Sequence, residues 1–286
     1  MRRLAPEPPI LSARLHIVAL VATFAVMLAA CTSGPFATTG GGAAEAVLDH
    51  HLCYFFDETH FNPPNGVTVK DQFLDNPTSV TFTERDFLCN PVEKSSWRHD
   101  SPIRHQEAHL FCYRFDARKP LDGVVKVHNQ FDPWFFGAQT LHIEETWGLC
   151  LPAGKKPITS GPPPIPTDID HFMCYRVTPE DDVNRNVALK DQFLAGNSTI
   201  KRAFLLCNPT EKWFGKRHEV PEHREAHLVC YTVDTPTFTP RQVRVGNQFE
   251  ANFLVTPRVH PPYLCVPSSK VVISRPKVPP PNTPQG

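Results

Sequence analysis

No Cys-x-x-Cys pair occurs anywhere in the 286 residues, which excludes the zinc-finger and zinc-ribbon spacings. There is no Gly-x-Ser-x-Gly elbow, no P-loop and no glycine-rich dinucleotide fingerprint, so the common nucleophile and phosphate-cradling motifs are missing. Net charge is absent too: 29 Lys and Arg balance 29 Asp and Glu, leaving no field to gather nucleic acid. Glycine is scarce at 14 while proline reaches 31, a balance that favours short elements and many loops over long helices. The composition implies no cofactor.

What is present is a phrase repeated four times. It reads His50-His51-Leu52-Cys53-Tyr54, then His109-Leu110-Phe111-Cys112-Tyr113, His171-Phe172-Met173-Cys174-Tyr175 and His227-Leu228-Val229-Cys230-Tyr231. A second phrase follows each: Asp71-Gln72-Phe73, Asn129-Gln130-Phe131, Asp191-Gln192-Phe193 and Asn247-Gln248-Phe249. A third closes each unit: Cys89-Asn90-Pro91, Cys150-Leu151-Pro152, Cys207-Asn208-Pro209 and Cys265-Val266-Pro267. Units of about 50 residues are of supersecondary size. Odd copies carry Asp with Asn-Pro, and even copies carry Asn with Leu-Pro or Val-Pro. The pattern is ABAB, so the larger unit is a pair.

Each phrase reads as a strand. Alternation puts His171, Met173, Tyr175 and Val177 on one face and Phe172, Cys174 and Arg176 on the other. β-branched and aromatic enrichment supports strand over helix. The expected fold is all-β: two tandem antiparallel β-barrel or sandwich domains, each with two pseudo-symmetric disulfide-containing repeats. The boundaries are 49–156 and 168–270, with a proline-rich linker over 157–167 and a disordered proline-rich tail over 271–286.

Eight of the nine cysteines hold fixed places: Cys53, Cys89, Cys112, Cys150, Cys174, Cys207, Cys230 and Cys265. Such regularity is a disulfide framework of an oxidising compartment. Closing each unit on itself is the most economical pairing. Bonds across units, such as Cys53–Cys150 with Cys89–Cys112, are the alternative among about a hundred connectivities.

The ninth, Cys31, ends Leu28-Ala29-Ala30-Cys31 after an arginine-bearing start and an apolar run. That is a signal-peptide layout over 1–30, and its end resembles the lipobox of bacterial lipoproteins. The resemblance implies lipidation of Cys31, membrane attachment by the lipid anchor, and export to the outer membrane, with 31–48 as a flexible tether.

The three phrases together resemble an uncharacterised repeat domain of secreted and surface proteins from environmental bacteria, notably deltaproteobacteria and myxobacteria, over residues 49–270. No activity or ligand is assigned to that family, so the resemblance transfers no active site.

Candidate chemistry is sparse. On an early-starting strand, His105, Glu107 and His109 would share a face, as would His223, Glu225 and His227; His plus carboxylate is a zinc-ligand set. The competing reading is a polar loop before the strand. Asp71 and Asp191 are not a general acid/base pair, because Asn fills the same place in the other copies and cannot exchange a proton. A hydrogen-bonding role at a strand end suits both residues. Trp97 and Trp213 sit in the stretch joining two repeats and are candidates for stacking on a glycan or for holding a peptide. With no catalytic constellation, the expectation is a non-enzymatic, lipid-anchored envelope protein with a structural or adhesive role, meeting envelope proteins or glycans and no nucleic acid.

Overall fold

The computed structural model describes residues 44, 47–56, 61–96, 99–132, 137–258 and 262–278. Cys31, the 1–30 segment, nearly all of the tether and Trp97 lie outside the described residues. The first repeat runs β1 (His51–Phe55), β2 (Val67–Lys70), β3 (Thr78–Val80) and β4 (Phe82–Pro91), followed by β5 (Glu93–Ser95) and β6 (Asp100–Ser101). The second is β7 (His109–Phe115), β8 (Pro120–His128) and β9 (Gln139–Pro157). The third is β10 (Phe172–Pro179), β11 (Arg185–Lys190) and β12 (Ala195–Pro209), with β13 (Glu211–Phe214) and β14 (Arg217–Glu219) after it. The fourth is β15 (His227–Asp234), β16 (Val243–Gly246), β17 (Phe253–Val255) and β18 (Tyr263–Lys277).

Each repeat folds its two cysteine strands into an antiparallel pair, and the four pairs join edge to edge. β1 pairs β4, β4 pairs β7, β7 pairs β9 and β9 pairs β10. β10 pairs β12, β12 pairs β15, β15 pairs β18, and β18 returns to β1. Eight strands thus pair in a ring. Two separate domains at 49–156 and 168–270 do not form, because the β9–β10 and β18–β1 ladders cross the expected boundary. Hydrogen bonding explains the difference: an outer cysteine strand of either half would otherwise leave a row of backbone groups unpaired.

The ring strands are buried on both faces, which is why they read as almost continuous apolar runs. Strand alternation sorts them as expected. Leu52, Tyr54, Phe111, Tyr113, Met173, Tyr175, Val229 and Tyr231 join one core. All eight cysteines join the other, with Leu110, Phe172, Leu205 and Leu228.

The disulfides are Cys53–Cys89, Cys112–Cys150, Cys174–Cys207 and Cys230–Cys265. Each joins directly opposed residues of one hairpin. The within-unit pairing is therefore the observed one. Neighbouring bridges also touch: Cys53 Sγ lies 3.5 Å from Cys265 Sγ, and Cys150 Sγ 3.7 Å from Cys174 Sγ.

The middle strands reach further. After its second cysteine, each chain segment leaves the ring and pairs with the middle strand of the repeat two places away. β5 meets β11, β13 meets β2, the end of β9 meets β16, and the end of β18 meets β8. Repeats one and three therefore exchange strands with each other, as do two and four.

Two expectations change here. Residues 271–277 are not a disordered tail but belong to β18, where Val271 faces Lys126 and Val272 faces Val125. The β-branched run Val271-Val272-Ile273 suits a strand, and β8 offers it a free edge. The 157–167 segment is not a free linker either. Pro163 is buried, and Pro164 carbonyl oxygen lies so close to Gly154 that a Cβ there would sit 2.0 Å from it. Only glycine lets the two backbones approach in this way.

Candidate functional site

The repeated polar residues meet at four corners, each built by two repeats that are diagonal in the ring. The Asp or Asn after each middle strand first fixes its own turn. Asp71 Oδ1 accepts the N–H of Phe73 at 2.9 Å and of Leu74 at 3.2 Å. Asp191 does the same for Phe193 and Leu194, Asn129 for Phe131, and Asn247 for Phe249 and Glu250. This is the strand-end role that Asp and Asn can share.

Each of these side chains then holds the tyrosine of the diagonal repeat. Tyr175 donates to Asp71 at 2.9 Å and Tyr54 to Asp191 at 3.0 Å. In the other two corners the polarity reverses: Asn129 donates to the Tyr231 oxygen and Asn247 to that of Tyr113, both at 2.8 Å. The tyrosines are fully buried, and burial pushes their hydroxyls far up in pKa.

The ABAB alternation follows from this polarity. Asp71 takes a further donor from Asn208 at 2.7 Å, and Asp191 takes one from Asn90 at 2.9 Å. The amide oxygens of Asn208 and Asn90 accept in turn from Lys270 and Lys155. Where the turn residue is Asn, the facing positions are Val266 and Leu151, which offer no side-chain hydrogen bond.

Four lysines complete the corners: Lys94, Lys155, Lys212 and Lys270, each five residues past the second cysteine of its repeat. Their backbones oppose Leu189, Val245, Val69 and Val127 in the exchanged strands. Burial lowers Lys155 to about 7 and Lys270 to about 7, partly offset by Asp191 and Glu107 around the first and by Asp71 and Glu225 around the second. Lys212 is lowered by burial and held by Gln248 and Glu219.

Beside each lysine stands the repeated histidine. Burial, then the neighbouring lysine, drives His50 and His109 well below the usual imidazole range, His171 to about 3 and His227 to about 2. They are neutral at physiological pH. Two of the repeated glutamines reach them from an adjacent repeat: Gln72 contacts His227 at 3.2 Å and Gln130 contacts His50.

The expected metal sets do not assemble. Residues 105–107 and 223–225 lie in exposed turns, closed by Ala108 N–H to His105 oxygen and Ala226 N–H to His223 oxygen. The strands begin only at His109 and His227, so these two are buried while His105, Glu107, His223 and Glu225 face solvent. Asp49 and Asp170 explain the turns, since each accepts two successive backbone N–H groups there. Among the described residues, the group with metal-ligand geometry is Cys53, Cys89 and Cys265, whose sulfurs are in disulfides. Trp213 lies in strand β13 rather than in a loop, with its ring stacked on His218 at 4.5 Å.

Residues 123–267 match a family described as a repeat of unknown function, DUF7450. The chain belongs to that family. The DUF7450 match covers half of the chain and runs from within β8 to the Val-Pro step of the fourth repeat. It takes in three of the four disulfide-bonded half-cystine pairs in part or whole, and the corner residues Asn129, Lys155, Asp191, Lys212 and Asn247. No curated protein and no solved structure matches the chain.

Proposed function

We propose that the protein is a non-enzymatic, exported envelope protein, lipid-anchored through Cys31, whose ring of hairpins is a closed β-barrel scaffold with a structural or adhesive role. One observation carries this reading. The cysteines, tyrosines and turn Asp and Asn residues that recur in all four repeats, together with Lys155, Lys212 and Lys270, are engaged in joining strands and repeats to one another. Residues committed to the fold in every copy are not free for turnover. The four disulfides suit an oxidising compartment. The Leu28-Ala29-Ala30-Cys31 ending supports lipidation, and placement in the outer membrane follows from the residue after it, Thr32, by analogy with lipoprotein sorting.

Labelling of expressing cells with radioactive palmitate, followed by fractionation, tests the anchor. The full chain is expected in the membrane fraction with label, and a Cys31→Ser variant without label and released. A wild-type protein that carries no lipid and stays soluble overturns the anchored reading.

A further inference from the structure

One corner departs from the other three. A cleft of about 680 Å³ opens there, floored by Lys155, His109 and Asp191 and walled by Gln192 and Phe193. In the other corners the repeated glutamine is occupied: Gln72 by His227, Gln130 by His50, and Gln248 by Lys212 and Glu219. Here, among the described residues, the Gln192 amide has no hydrogen-bond partner. Neither ring nitrogen of His109 has one either, although the side chain is 3% exposed and its Nδ1 is sealed from solvent. Gln192 is exposed, so its amide is open to a ligand in the cleft, whereas the His109 Nδ1, like that of His227, is sealed off and unavailable to one.

The charges of the cleft are unequal in availability. Its acids Glu93 and Asp191 are taken, the first by Lys190 at 3.7 Å and the second by Tyr54 and Asn90. Lys156 and Arg241 on the rim have no ion-pair partner among the described residues, and Glu107 stands alone against them. Lys156 belongs to this copy only. The residues after the other three repeated lysines are Ser95, Trp213 and Val271. Gln106 and Gln242 add two further amides, while the Phe193 ring is taken up by Tyr54, Phe238 and the Lys155 ammonium 5.2 Å from its centroid.

We propose that this cleft binds a short oligosaccharide carrying carboxylates. Planar amides pair with vicinal hydroxyls, and Lys156 and Arg241 meet the carboxylates. The volume suits two or three sugar units. The site is distinct from Trp97 and Trp213, and it is independent of whether the chain is lipid-anchored.

Isothermal titration of the full chain in detergent micelles with a galacturonic acid trimer, a galactose trimer and inorganic phosphate tests it. The acidic trimer is expected to bind, the neutral trimer at least tenfold more weakly, and phosphate without displacing the acidic sugar. A Lys156→Ala/Arg241→Ala variant is expected to lose at least tenfold in affinity. A separate Gln192→Ala variant, which touches no described partner, is expected to weaken both sugars with the unfolding midpoint unchanged. No binding of the acidic trimer, or equal binding by wild type and the double variant, overturns the proposal. Displacement by phosphate at matched concentration reduces the cleft to a plain anion site and overturns it as well.

Discussion

Tyr175 and Asp71 stand 104 residues apart in the chain and in different repeats, yet the phenol donates to the carboxylate at 2.9 Å in a fully buried corner. The same carboxylate closes its own turn and accepts from Asn208, so three chain segments depend on it. Tyr175→Phe is expected to lower stability by about 1–3 kcal/mol, because it leaves a buried acceptor short of a donor. Chemical denaturation of wild type and variant measures this. An unchanged midpoint would mean that the corner tolerates the missing bond.

The alternation of Asp with Asn is a matching rule, and a double-mutant cycle tests it. Asp71→Asn places an amide nitrogen against the donating amide of Asn208. Asn208→Val alone removes a donor to Asp71 and the acceptor of Lys270. Together they rebuild the Asn-with-Val combination of the even corners. The pair is expected to cost less than the sum of the singles by about 1 kcal/mol or more, since the residues touch. Additivity would sink the rule.

Digestion without reduction is expected to yield four linked peptide pairs, each within one hairpin. Replacing Cys112 and Cys150 together by serine releases a loop of 38 residues and is expected to cost about 3–4 kcal/mol in the chain-entropy account. Thermal unfolding of the double variant gives the comparison.

The pH dependence of stability has a calculable sign. Unfolded histidines take up protons near pH 6.5, while burial holds His50, His109, His171 and His227 neutral far below that. Unfolding therefore binds protons as the pH falls from 6.5, and stability drops, by up to about 1.4 kcal/mol per pH unit for each histidine. Asp71 and Asp86 are raised by burial and offset part of this loss near the usual carboxylate range. Lys155 and Lys270 add a second window, since the unfolded chain holds their protons up to about pH 10.5 and the folded one only to about 7. Stability is expected to rise from pH 7 toward pH 10, then to fall as tyrosines ionise in the unfolded chain alone. A denaturation series from pH 4 to 10 with its maximum at neutrality would contradict this.

Ending the chain after Lys270 removes the part of β18 that pairs with β8 over Val271 to Lys277. That leaves an edge of β8 uncovered. The shortened protein is expected to unfold at lower temperature and to self-associate, measured by calorimetry and light scattering. A protein indifferent to the cut would restore the view of this segment as a loose tail.

Much of the local structure was legible in the residues. The alternation that separates Tyr175 from Cys174, the turn role common to Asp71 and Asn129, and the pairing of cysteines within a unit all depend on short-range pattern. Ring closure did not show, because the β1–β18 and β9–β10 ladders involve backbone groups that every residue carries. The four lysines carried a visible signal, a fixed offset from the second cysteine. It was obscured because lysine is ordinarily exposed and its neighbours differ in each copy. The cleft was illegible for a further reason: Gln192 and His109 occupy the same places in their phrases as their counterparts, and only the structure separates free from bound.

The β1–β18 ladder sets an order in time. His51 is made early and Cys265 more than two hundred residues later, yet they lie opposite each other in one ladder. Until the last hairpin has emerged, the first strand has one unsatisfied edge and the exchanged strands of the second repeat have no hosts in the fourth. A nascent chain therefore has nothing finished to show for three quarters of its length. It must be kept from strangers until the fourth repeat is made, and a stop before Tyr263 leaves the ring open between β1 and β15.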